Sequence, residues 1–149
     1  MENRDELVRH LRTVSLVGAS VLVSLFLYLG VEEFIRARFR PFRGFVAVTD
    51  LQRLRYVFFA VAIVAGILVR ILRQALLRKV SHDDEKTALH RLQRVSLLTL
   101  VLAEVPAVAG LVLFFVGGLN IDFYILLFVS IFLVFMYFPR RSAWEEWLS

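Results

Sequence analysis

Cysteine is absent from the 149-residue chain and lysine nearly so, with 2 Lys against 16 Arg. Without thiols there can be no disulfide, no thiol nucleophile and no thiolate metal site. Also missing are a phosphate-binding glycine loop, a nucleophile beside a base, and any zinc-ligand spacing, so the sequence supports neither an enzyme nor a resident cofactor. No internal repeat or low-complexity tract divides the chain, and its length allows one domain.

What is present is apolar. Hydrophobic residues make up 59% of the chain and charged residues 21%, with a mean hydropathy of +0.72. That exceeds what a soluble core of this size needs and implies a membrane protein. The net charge of +5 sits in short segments between uncharged runs. Lipid headgroups are therefore the expected partner of the arginines, and nucleic acid is not.

Four apolar runs predict four membrane spans at about 13–31, 54–77, 92–117 and 121–138, an all-α polytopic membrane protein with its four transmembrane helices in one small bundle. Thr13–Val31 is uncharged and longer than the apolar region of a secretory signal, with no clean small-residue cleavage site after it, which predicts an uncleaved anchor. Tyr56–Val69 is short, but Arg55 and Arg70 can snorkel and the apolar pattern continues to Leu77, so a helix from Asp50 to Lys79 can cross; Thr49 and Gln52 suggest a capping box at its start. The third span is expected to begin well before the membrane, behind a Ser81 cap and the acidic turn Asp83-Asp84-Glu85. Only Gly117, Gly118 and Asn120-type turn residues separate spans three and four, which demands an antiparallel hairpin, its last helix capped by Asn120 or Asp122 and stopped by Pro139.

Arginine and lysine counts of three, six, seven, none and two in successive polar segments place 12 on one side and 6 on the other. The positive-inside tendency then puts both termini in the cytoplasm of an inner (cytoplasmic) membrane. Segment 32–53 interleaves Phe34, Phe39, Phe42 and Phe45 with Arg36, Arg38, Arg40 and Arg43, a pattern suited to an interfacial elbow that extends span one and then turns.

Glu104 is the one ionisable residue in the third apolar run, roughly 13 Å from its start at Val95. An unpaired carboxylate at that depth costs several kcal/mol, so it must face protein or water. Ala103, Ala107 and Gly110 recur at helical spacing as a small-residue face for close helix contact. Pro106 removes a backbone donor and frees the carbonyl of Leu102. Span one offers Thr13, Ser20, Ser24 and Tyr28 on roughly one face, and Ser20 or Ser24 is the expected hydrogen-bond partner of Glu104. Two readings follow: a structural hydrogen bond locking the bundle, or a proton or cation site built from Glu104, Leu102, Pro106, Ser20 and Ser24.

Ala103-Glu104-Val105-Pro106-Ala107 followed by Gly110-Leu111-Val112-Leu113 resembles the ion-carrying helix of the rotary ATPase proteolipids, the c-type subunits, over residues 95–115. The resemblance implies that Glu104 is a carboxyl that gains and loses H+ or Na+, and that spans two and three, joined by residues 73–94, form the hairpin. The first function reading is nevertheless a small integral membrane subunit or accessory protein of a membrane complex that associates with other subunits, or with itself, through the Ala103, Ala107, Gly110 face; the proteolipid-like proton or cation carrier using Glu104 is the alternative from another class.

His10 and His90 are expected at the same membrane edge, where paired haem ligation is conceivable but contact with water and headgroups is the plainer role. His82, Asp83 and Asp84 read as a helix start rather than a divalent-ion site. The aromatic residues of span four circle the helix, which suggests a peripheral, lipid-facing position, and Trp144 and Trp147 suggest an interfacial tail.

Overall fold

The computed structural model describes residues 2–46, 49–77 and 85–138, and their regular structure is helical throughout: α1 (Glu2–Arg38), α2 (Leu51–Leu77), α3 (Glu85–Gly117) and α4 (Asn120–Tyr137). All four are long and apolar enough to cross a membrane. Ser81 to Asp84, Pro139 and the Trp144–Trp147 tail, on which sequence expectations fell, lie outside the described residues.

The helices run up, down, up and down. His10 of α1 bonds Gln93 of α3 at one end of the bundle, where Arg73 of α2 also covers the Tyr137 ring of α4. At the other end Glu32 of α1 receives a hydrogen bond from Tyr124 of α4, and Arg55 of α2 pairs with Asp122 of α4. We call these the His10 end and the Glu32 end.

α3 is the hub against which the other three helices pack, and α1 also touches α4. In the most apolar stretch of each helix, 50% of α3 is buried within the chain but only 17% of α2. α1, α2 and α4 all lie outside this hub, with 22%, 17% and 33% of their apolar stretches buried. One face of α4 is buried through Phe123, Leu126, Leu127, Ser130, Leu133 and Val134, while Phe128, Phe132 and Phe135 point outward. Aromatic residues on several faces of a helix do not reveal which face its neighbours take.

Two boundaries differ from expectation. α1 does not end near Val31 but continues to Arg38, so residues 32–38 are helix and the elbow begins at Phe39. At about 1.5 Å per residue α1 is roughly 55 Å long, and its charged ends extend past the hydrocarbon. α2 is capped by Asp50 rather than Thr49: the Asp50 carboxylate accepts the Arg53 backbone N–H at 3.4 Å and pairs with the Arg53 side chain at 2.9 Å.

The elbow folds over the end of the bundle instead of lying flat. The N–H of Phe45 donates to the Phe115 carbonyl at 2.7 Å, and the Phe42 ring packs edge to face on Phe45 and tilted on Phe114, with centroids 5.0 and 4.8 Å away. Two glycines with positive φ make this approach possible, Gly44 against the Val116 carbonyl and Gly118 against the backbone of Arg43. The expected α3–α4 hairpin is present, but Leu119 is the residue before α4 and no side chain caps it; Asp122 is turned to Arg55 instead.

Pro106 lies inside α3 without ending it. The neighbouring Ala107 N–H donates across to Ser130 Oγ of α4 at 2.8 Å, in a buried contact. A proline ring displaces the carbonyls one turn back, and a hydroxyl from a neighbouring helix can take up a donor there. Ser130→Ala should leave that N–H without its partner in a site closed to water, destabilising the bundle by about 1–3 kcal/mol. A thermal unfolding midpoint equal to the parent would show that the bond contributes nothing.

Candidate functional site

Along α3 the small residues and the carboxyl point to different neighbours. Ala103 and Ala107 are completely buried, and Gly110 sits where an added Cβ would be 3.0 Å from Leu126 Cβ and 3.2 Å from Phe123 Cα. This face is therefore filled by the chain's own α1 and α4. Glu104, the next position round the helix, reaches past that contact and is half-buried.

The Tyr28 hydroxyl of α1 donates to Glu104 Oε1 at 2.6 Å. On its other side Glu104 lines an apolar groove of about 340 Å³ between α2 and α3, walled by Phe58, Val61, Val101, Val105 and Val108. The carboxyl is the groove's ionisable group among these lining residues. Placed between a phenol and an opening toward lipid, it has a fixed proton donor on one side and space on the other.

Of the residues grouped with Glu104 by sequence, the structure brings only some together. Pro106 and Leu102 flank it on α3, Pro106 being buried and Leu102 half-buried. Ser20 and Ser24 are not its partners. Ser20 donates to the Leu16 carbonyl at 3.0 Å and Ser24 to the Ser20 carbonyl at 3.1 Å, each within α1. Short hydroxyl side chains in a helix readily bond back to the carbonyl four residues before. The longer Tyr28, on the same face, crosses the gap that serine cannot.

A second polar cluster at the Glu32 end was not anticipated. Glu32 is completely buried; its Oε2 accepts the Tyr124 hydroxyl at 2.8 Å and its Oε1 lies 3.7 Å from Arg36 Nε without a hydrogen bond. The Tyr124 oxygen also lies 2.5 Å from Glu33 Oε1, so its single proton is shared between the two carboxyl groups, and Glu33 accepts from Arg36 at 2.7 Å, nearer the surface. Asp122, also buried, has Oδ1 2.7 Å from an Arg55 nitrogen, close enough for charge pairing but without hydrogen-bond alignment. The signal available in sequence was Tyr28, Glu32 and Arg36 at spacings of four, one face of a helix that the elbow assignment cut at Val31.

At the His10 end, His10 Nδ1 and Gln93 Oε1 are 2.5 Å apart, and the His10 and His90 rings meet edge to face with centroids 5.0 Å apart. The two histidines share an edge as expected, but rings in direct contact leave no gap for a haem between them. Among the described residues no group of three or more potential metal ligands converges. No family model, curated protein or solved structure matches the chain.

Proposed function

We propose that this chain is a small integral membrane subunit that exchanges a proton at Glu104, in a cytoplasmic-type membrane with both termini inside. The observation that carries the reading is the position of the carboxyl. It is held at 2.6 Å by the Tyr28 hydroxyl in the middle of the bundle and faces the α2–α3 groove. Ionisable groups at such depth are expensive and recur along ion pathways and proton relays. The proton is the favoured ion because hard metal cations require several oxygen ligands, whereas one hydroxyl is the side-chain hydrogen bond described for Glu104. The resemblance of residues 95–115 to the proteolipid ion-carrying helix points the same way.

A second reading, a purely assembling subunit, is favoured by α2, whose outer face leaves Val57, Ile63, Val64 and Ile67 exposed. Apolar side chains facing lipid are also ordinary, so this observation weighs less. In this reading other membrane subunits would dock at the α2–α3 groove, since the Ala103, Ala107, Gly110 face is already occupied within the chain.

A hydrophobic carbodiimide, which reacts with protonated carboxyls from the lipid phase, tests the proposal. Peptide mass mapping of the treated full-length protein in vesicles should find the adduct on Glu104, through the groove, and not on the ion-paired Asp122. An unmodified Glu104 under conditions that label control proteins would overturn it.

A further inference from the structure

The buried cluster at the Glu32 end has a geometric relation to Glu104. Tyr28, Glu32 and Arg36 succeed one another at spacings of four along α1, so their side chains stack on one face about 6 Å apart along the axis. Tyr28 holds Glu104, Glu32 is joined through Tyr124 to Glu33, and Arg36 ties Glu32 and Glu33 together at the half-exposed surface. Polar groups thus run from the end of the bundle to the carboxyl in its interior, and the one step without a direct bond lies between Glu32 and Tyr28.

Two features distinguish this line from a simple structural clasp. Glu32 Oε1 is fully buried and has no hydrogen-bond partner, although buried carboxylate oxygens are normally satisfied by protein or by water. It also lies one helical turn along α1 from Tyr28, so the orphaned oxygen and the phenol that holds Glu104 belong to the same face of the helix. A clasp between α1 and α4 would need only Tyr124 and one carboxylate, whereas here one phenol bridges two carboxylates, one buried and one exposed.

We propose that Glu33, Tyr124, Glu32 and Tyr28 form a proton path between the Arg36 surface and Glu104. The proposal rests on the proton-exchange reading of Glu104. Glu104 as carboxylate takes the Tyr28 hydroxyl proton, and the Tyr28 oxygen takes one from a water bonded to Glu32. That water regains its proton from Glu32, Glu32 regains it from Glu33 through the Tyr124 hydroxyl, and Glu33 has taken it from bulk water. One proton enters at the surface and one arrives at Glu104, now neutral, while every other group ends as it began. Arg36, beside both glutamates, limits the repulsion between them when both are charged.

The test is the rate at which the Glu104 carboxyl exchanges its proton for deuterium. The carbonyl stretch of Glu104 is assigned in the infrared spectrum of the full chain in lipid nanodiscs as the band lost in Glu104→Gln, and its shift is timed after transfer to heavy water. Tyr28→Phe and Tyr124→Phe keep ring and shape but remove the hydroxyl, and each should slow the shift about tenfold or more. Glu32→Gln should do the same, while Tyr137→Phe, at the opposite end, should leave the rate at the parent value. Thermal unfolding midpoints identify any variant that has lost its fold, and the rate is read only in folded ones. Parent-like exchange in folded Tyr28→Phe and Tyr124→Phe overturns the path but leaves Glu104 as an exchanging group fed through the groove. A parent protein whose Glu104 band is missing or never exchanges overturns the proton-exchange reading itself, and the path with it.

Discussion

Gly110→Leu is expected to force α3 and α4 apart and to destabilise the bundle strongly. A Cβ there would already be 3.0 Å from Leu126 Cβ and 3.2 Å from both Cα and the carbonyl oxygen of Phe123. Two of those contacts are backbone atoms, which cannot rotate away, and leucine adds three further carbons beyond the Cβ. Overpacking costs about 1–3 kcal/mol where side chains can give way, and more where they cannot. Ala107→Leu should act in the same direction, because Ala107 is fully buried and its N–H is bonded to Ser130. By contrast Phe128 and Phe132 are 70% and 58% exposed, and Phe128→Trp or Phe132→Trp enlarges a side chain that meets lipid. Thermal unfolding in detergent, with monodispersity on a sizing column, should separate the two pairs clearly. Equal tolerance at all four positions would remove the α3–α4 contact from the centre of the fold.

Glu104→Gln and Glu104→Leu are expected both to abolish proton movement, though only the second weakens the bundle. Glutamine keeps the size of the side chain and an oxygen that can accept from Tyr28, but it does not titrate. Leucine removes both functions and leaves the Tyr28 hydroxyl without its partner, at a cost of about 1 kcal/mol for an intramembrane hydrogen bond. The measurement is proton flux into vesicles containing the full chain, driven by a potassium diffusion potential and read by an internal pH dye. Stability is measured on the same preparations. Flux at the parent level in the glutamine variant would sink the exchange reading. If the parent carries no flux, and glutamine preserves association with other membrane subunits while leucine weakens it, the carboxyl is an assembly bond.

The distinction matters because the same geometry serves both purposes. A phenol 2.6 Å from a carboxyl cross-links α1 to α3 whether or not the proton ever leaves. What separates the roles is connection to water. The Glu32, Glu33 and Tyr124 cluster supplies a route along α1, and the α2–α3 groove supplies an opening on the other side. Substitutions that keep shape and remove a single transferable proton are therefore more informative than truncations.

The number of helices, the α3–α4 hairpin and the singularity of Glu104 were legible in the sequence because they follow from local properties. Apolar run length sets how many times the chain can cross, Gly117 and Gly118 leave room only for a tight turn, and a lone carboxylate in an apolar run stands out whatever surrounds it. Small residues at 103, 107 and 110 likewise announced a close helix contact, and the chain itself fills it. Which helix fills it, and which neighbour each polar group meets, depended on the rotation and depth of each helix against the others. Those quantities come from packing many side chains at once and leave no trace in the period of any one segment. Tyr28 rather than Ser20 or Ser24 reaches Glu104 because a serine hydroxyl bonds back to its own helix and a phenol spans the gap. Glu32 is buried because α1 continues past Val31 and turns that residue toward Tyr124, a choice set by the elbow folding over the end of α3. Asp122, positioned as a cap by the sequence, instead faces Arg55 because tertiary packing brings the start of α2 beside that of α4 and offers the buried carboxylate an opposite charge.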